Sequence, residues 1–98
     1  MLSTSSVMAQ EGKSQSKSQE NGIEGLSFYP NPATSGKLYI TTKNNEDKLI
    51  TIFDVLGKKV LHTALSSREL NISSLSPGVY IIKIEEGTSS ATRKLIVR

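Results

Sequence analysis

The sequence predicts an all-β fold: an immunoglobulin-like antiparallel β-sandwich of about seven strands behind a disordered amino-terminal tail. Three observations carry this. From Leu26 onward, short runs rich in Ile, Val, Leu, Thr, Tyr and Phe alternate with clusters of Gly, Pro, Asn and Ser, the texture of strands and turns. No segment shows the apolar spacing of an amphipathic helix. The runs are short and regularly punctuated, as in two packed antiparallel sheets.

With 98 residues, 36% of them hydrophobic and 21% charged, the chain has room for one small domain and a tail. It contains no cysteine, so disulfide staples and thiolate metal sites are excluded and apolar burial must hold the fold. A formal charge of +3 is too ordinary to specify a partner. No run approaches the ~20 consecutive apolar residues of a transmembrane helix.

Residues 1–25 read as the tail. Within it, Val7, Met8 and Ala9 before Gln10 match the small-residue end of a secretory signal peptide, although no long apolar run precedes them. The stretch from Glu11 to Gly25 is dominated by Ser, Gln, Lys, Glu and Gly, with Ile23 its one large apolar residue. That composition buries too little surface to offset the entropy of ordering, so it reads as a flexible linker.

Residues 26–98 form the predicted domain. Strands are expected at Leu26 to Tyr29, Lys37 to Thr42, Lys48 to Asp54, Lys59 to Ala64, Glu69 to Ile72, Val79 to Glu85 and Thr92 to Val97. Between the first two, "YPNP" places Pro30 and Pro32 two residues apart. Each proline pushes the residue before it, Tyr29 and Asn31, out of the helical region and lacks an N–H for a ladder. The reading is a stiff, extended corner that carries the chain from one sheet to the next.

In "FDVLGKKV", Gly57 is free to take a positive φ, so Asp54 to Lys58 reads as a tight hairpin with a glycine bulge. In "SLSPGVY", Pro77 and Gly78 read as the central pair of a type II turn, with a positive φ at Gly78. After it, Tyr80, Ile82 and Ile84 share one face and Val79, Ile81 and Lys83 the other, which predicts a central strand. Ile50 and Ile52 alternate likewise against Leu49, Thr51 and Phe53, so this strand is also expected inside a sheet. In "TRKLIVR" Leu95 and Val97 oppose Ile96, and Arg93, Lys94 and Arg98 are the charges that protect an edge strand.

Chemistry is nearly absent. His62 is the one histidine and no cysteine accompanies it, so no histidine-based metal site is expected within the chain. Glu46 with Asp47, and Glu85 with Glu86, are adjacent pairs that read as solvated turns rather than calcium or acid–base sites. Serines occur without a G-x-S-x-G elbow or an activating partner. Asn71-Ile72-Ser73 matches the glycosylation sequon, a pattern short enough to arise by chance. Lys58 with Lys59, and Arg93 with Lys94 and Arg98, lack the interleaved exposed aromatics of a nucleic-acid surface. The expectation is a non-enzyme with no cofactor, no metal and no nucleic-acid partner.

In order along the chain, "YPNPATSGKLYI", "ITIFDVLGKKVL", "LNISSLSPGVYIIKI" and the terminal "TRKLIV" resemble the type A C-terminal sorting domain of type IX secretion substrates of Bacteroidota. The resemblance runs from about Leu26 to Arg98. It implies a secretion signal recognised by the outer-membrane translocon and removed by a cell-surface sortase, with the cargo linked to anionic lipopolysaccharide. The implied route passes through the periplasm to the cell surface or the medium. It also implies a large passenger, whereas only Met1 to Gly25 precede the domain here.

Carried over by motif, Tyr29, Pro30, Asn31 and Pro32 match the family's opening corner, and Asp54 and Gly57 its hairpin. Pro77, Gly78 and Tyr80 match its late signature, and Lys94, Leu95, Ile96 and Val97 its terminal strand. The resemblance gives the last two groups a part in recognition and the first two a part in folding. The rival reading is a non-catalytic immunoglobulin-like adhesion module that binds carbohydrate or protein.

Overall fold

A computed structural model describes residues 22–98; the signal-peptide match and the linker up to residue 21 lie outside the described residues. The strands are β1 (Ser27–Tyr29), β2 (Lys37–Thr41), β3 (Lys48–Phe53), β4 (Lys59–Leu65), β5 (Glu69–Asn71), β6 (Gly78–Glu86) and β7 (Ser89–Val97). They form a three-stranded sheet, ordered β1-β2-β5, and a four-stranded sheet, ordered β4-β3-β6-β7, with every strand pair antiparallel. Pairing of the second strand with the fifth, of the third with the sixth, and of the sixth with the seventh is the immunoglobulin-like arrangement.

Alternation builds the core. Leu38 and Ile40 of β2, Ile50 and Ile52 of β3, Ile82 and Ile84 of β6, and Leu95 of β7 are fully buried, as is Ile72 just past β5. Each contributes about 1.5 to 3 kcal/mol by leaving water. β3 and β6 lie inside their sheet as predicted, and β7 lies at its edge.

The predicted hairpin forms at Asp54 to Lys58. Gly57 has a φ of 85°, its N–H donates to the Asp54 carbonyl at 3.0 Å, and the Asp54 N–H donates to the Lys58 carbonyl at 2.9 Å. The Asp54 Oδ1 accepts from the Leu56 and Lys58 N–H groups, both at 2.9 Å. The ladder shifts by one residue between Ile52 and Phe53, the bulge anticipated from the glycine.

Four expectations are corrected. The proline corner does not pass the chain between sheets, because β1 and β2 pair with each other, Phe28 opposite Ile40. Both X-Pro bonds in it are cis. Gly78 has no positive φ: it already stands in the ladder opposite Val97, which needs extended backbone. The chain reverses earlier, where the Leu75 N–H donates to the Ile72 carbonyl at 3.0 Å.

Glu85 and Glu86 belong to β6 rather than a turn; the reversal is Gly87-Thr88, with a φ of 61° at Gly87, so β7 starts at Ser89. Finally, residues 22–25, expected as linker, pack against the sandwich. Ile23 is buried in the core and the Lys43 N–H donates to the Glu24 carbonyl at 3.0 Å.

Candidate recognition surface

The corner lies along the outer edge of β7. A proline on either side leaves Asn31 no role in a β-ladder of its own, and its carboxamide takes one up. Asn31 Nδ2 donates to the Lys94 carbonyl at 3.1 Å, and Asn31 Oδ1 accepts the Ile96 N–H at 3.0 Å. One residue past Pro32, the Ala33 N–H donates to the Ile96 carbonyl and the Ala33 carbonyl accepts the Arg98 N–H, both at 2.8 Å, a parallel bridge. At the other end of β7, the Gly22 N–H donates to the Ser90 carbonyl at 3.1 Å. The edge is therefore covered by bonds as well as fringed by charge.

The late signature sits on the opposite flank of the same strand. Gly78 stands opposite Val97 and Tyr80 opposite Leu95. Tyr80 is buried, and its hydroxyl donates to the Ser76 carbonyl at 2.6 Å, the tie of a tyrosine corner. Leu95 and Val97 point into the core, Ile96 is half-buried, and Pro77 and Lys94 are exposed. The structure thus brings together the corner, the late signature and the terminal strand. Of the expected recognition residues, Tyr80, Leu95 and Val97 are buried, Gly78 and Ile96 are half-buried, and Pro77 and Lys94 are exposed.

The hairpin joins the same end of the sandwich, since Phe53, at the mouth of the turn, stands opposite Ile81. At its tip Val55 and Leu56 are 74% and 89% exposed. Val79 and Ile81, on the outer face of β6, are exposed beside them. Lys58, Lys59, Lys94 and Arg98 are exposed around this apolar surface, and among the described residues none of the four is in an ion pair. Sequence reading anticipated the second apolar face of β6 and set Val55 and Leu56 inside the turn, but gave no sign that the two form one exposed surface.

At the far end lies a buried polar cluster. Glu86 Oε2 accepts from the Thr42 hydroxyl at 2.6 Å and the Glu46 N–H at 2.9 Å, and lies 3.2 Å from Lys48 Nζ. Lys48 Nζ also donates to the Glu46 carbonyl at 2.8 Å. Burial alone would raise the Glu86 carboxyl; the hydrogen bonds and the Lys48 ammonium outweigh it and hold the group below the ordinary glutamate value. The cluster fastens the loop after β2 to the β6–β7 hairpin.

These arrangements fasten the corner to β7 and the loop after β2 to the β6–β7 hairpin. No curated protein matches the chain. The family model of the secretion system C-terminal sorting domain matches residues 27–98, from the first residue of β1 to the last residue of the clasp on β7. The chain belongs to the type IX secretion C-terminal sorting domains.

Proposed function

We propose that this domain is recognised in its folded form by the type IX outer-membrane translocon, through the end of the sandwich where the four motifs meet. The observation that carries this reading is the clasp of Asn31 and Ala33 on β7, which fixes Lys94 and Ile96 beside Pro77 and the hairpin tip. Exposed Val55, Leu56, Val79 and Ile81 supply an apolar patch, and Lys58, Lys59, Lys94 and Arg98 rim it with positive charge. Such a patch is suited to a partner surface with an apolar centre and acidic rim.

In this reading the domain carries its cargo from the periplasm across the outer membrane to the cell surface or the medium. A cell-surface sortase then cuts ahead of Gly22, because the bonded stretch from Gly22 onward resists the extended conformation a protease requires. Joining of the released cargo to anionic lipopolysaccharide belongs to the same reading.

The test is export of a reporter that carries a signal peptide in front and this full chain behind, in a type IX-competent bacterium and in a translocon-deficient sibling. Surface or medium localisation in the first strain only is the expected result. Equal retention in both, with the domain folded, overturns the reading. Sequencing the amino terminus of the released domain checks the cut, which is expected before Gly22.

A further inference from the structure

The two long edges of the four-stranded sheet are treated differently. Gly22, Asn31 and Ala33 cover the edge of β7, whereas β4, seven residues long, pairs with β3 alone. The short edge strands β1 and β5 have three residues each, a length that itself discourages pairing.

The register shows which groups β4 leaves open. On β7, the bonds to Gly22, Asn31 and Ala33 involve Ser90, Lys94, Ile96 and Arg98, so odd-numbered residues face β6. Alternation across β6 and β3 then assigns Leu61, Thr63 and Leu65 of β4 to the β3 ladder. His62 and Ala64 turn their N–H and C=O groups outward. Among the described residues only the Thr63 hydroxyl reaches that edge, donating to the Ala64 carbonyl at 3.3 Å.

From Val60 to Leu65 the edge carries no acidic residue, lysine, arginine or proline, the usual devices against strand addition. Beside it runs a groove of about 390 Å³ between β4 and β5, lined by Leu61, Leu65 and Leu70 and by the polar Asn71, Ser73 and Ser74. A strand added to β4 would turn every second side chain into this groove.

Charge selects the occupant. Lys58 and Lys59 stand at one end of β4 and Arg68 just beyond the other, while Glu69, which also lines the groove, has its charge paired with Lys37 at 3.3 Å. A second copy pairing antiparallel would set the lysines of one chain against Arg68 of the other. An uncharged extended segment with acidic residues at both ends has no such conflict.

We propose that the outer edge of β4 is a strand-addition site for an extended segment of a partner protein, uncharged in the middle and acidic at both flanks. The proposal rests on the sorting reading, and places part of the partner's grip on main-chain groups.

The test uses Ala64→Pro, which deletes an outward N–H and leaves the β3 ladder intact, with Ala64→Lys as a second variant that charges the edge. In the reporter assay with the full chain, both are expected to cut surface localisation about tenfold or more, as loss of about one main-chain contact with its neighbours implies, while thermal melting stays cooperative. Failure of the unmodified chain to be exported removes the sorting reading itself. Export of the unmodified chain and of either folded variant to the same level overturns the β4 site alone.

A direct probe is the peptide Asp-Val-Thr-Val-Thr-Val-Asp added to the isotopically labelled chain. It is expected to protect the His62 and Ala64 amides from exchange, and its Lys-flanked counterpart to bind about tenfold more weakly. Protection at β7 instead, equal binding of both peptides, or dimerisation of the chain through β4 in sedimentation overturns the assignment.

Discussion

Lys48 and Glu86 meet at 3.2 Å with both side chains almost wholly out of solvent, and the carboxylate also receives the Thr42 hydroxyl and the Glu46 N–H. Because its folded pKa lies below the unfolded value, Glu86 contributes stability that is fully present above about pH 4.3 and fades as pH falls through the folded value. Glu86→Gln leaves the Lys48 ammonium buried without its counter-charge and is expected to cost about 3 kcal/mol at neutral pH. Urea melts at pH 7 and pH 3 should show the gap between wild type and variant narrowing in acid.

Asn31→Ala removes both side-chain bonds to the edge of β7 while Ala33 keeps its bridge. The site is exposed, so the loss is expected at about 1 kcal/mol. Its signature is local: amide exchange at Ile96 should quicken, while exchange at Ile82 and Ile84 in the core follows only the global change.

Tyr80→Phe keeps the buried ring and deletes the bond to the Ser76 carbonyl. The expected cost is about 1 kcal/mol, a drop of about 4 to 8 °C in Tm for a domain of this size. An unchanged Tm would show that the hydroxyl is not a structural tie.

Ile23→Ala tests where the domain begins. A buried isoleucine cut to alanine costs about 2 to 5 kcal/mol, whereas the same change in a linker costs nothing measurable, and a denaturant midpoint separates the two.

Gly57 and Gly25 both have positive φ but different surroundings. A Cβ at Gly57 meets nothing within 4 Å, while one at Gly25 falls 2.9 Å from the Lys43 nitrogen. Gly57→Ala is expected to cost about 1 kcal/mol through the backbone alone. Gly25→Ala should cost clearly more, read from the same thermal melts.

What local pattern governs was legible in the chain. Ile50, Ile52, Ile82 and Ile84 announce interior strands by alternation, and the Asp54 to Gly57 hairpin follows from one glycine at one offset. Gly78 misled because Pro-Gly is a turn signal only when no partner strand claims the glycine, and Val97 claims it. Ile23 was assigned to a linker because one apolar residue among polar neighbours has no period. Glu86 looked like a loop carboxylate because its partners, Thr42 and Lys48, come from distant parts of the chain. For the site, the motifs were found but not their convergence: that Asn31 serves as a stand-in strand for Lys94 and Ile96 is a long-range fact.

The clasp also orders events during synthesis. Pro30 to Ala33 are made early, yet the groups they bond, from Lys94 to Arg98, leave the ribosome more than sixty residues later. Until then the opening corner has no strand to rest on, and Tyr80 has no Leu95 beside it. A chain that stops short of Ile96 cannot close the end of the sandwich where Asn31 and Ala33 meet β7. A prematurely ended translation product therefore lacks the strand on which its opening corner rests.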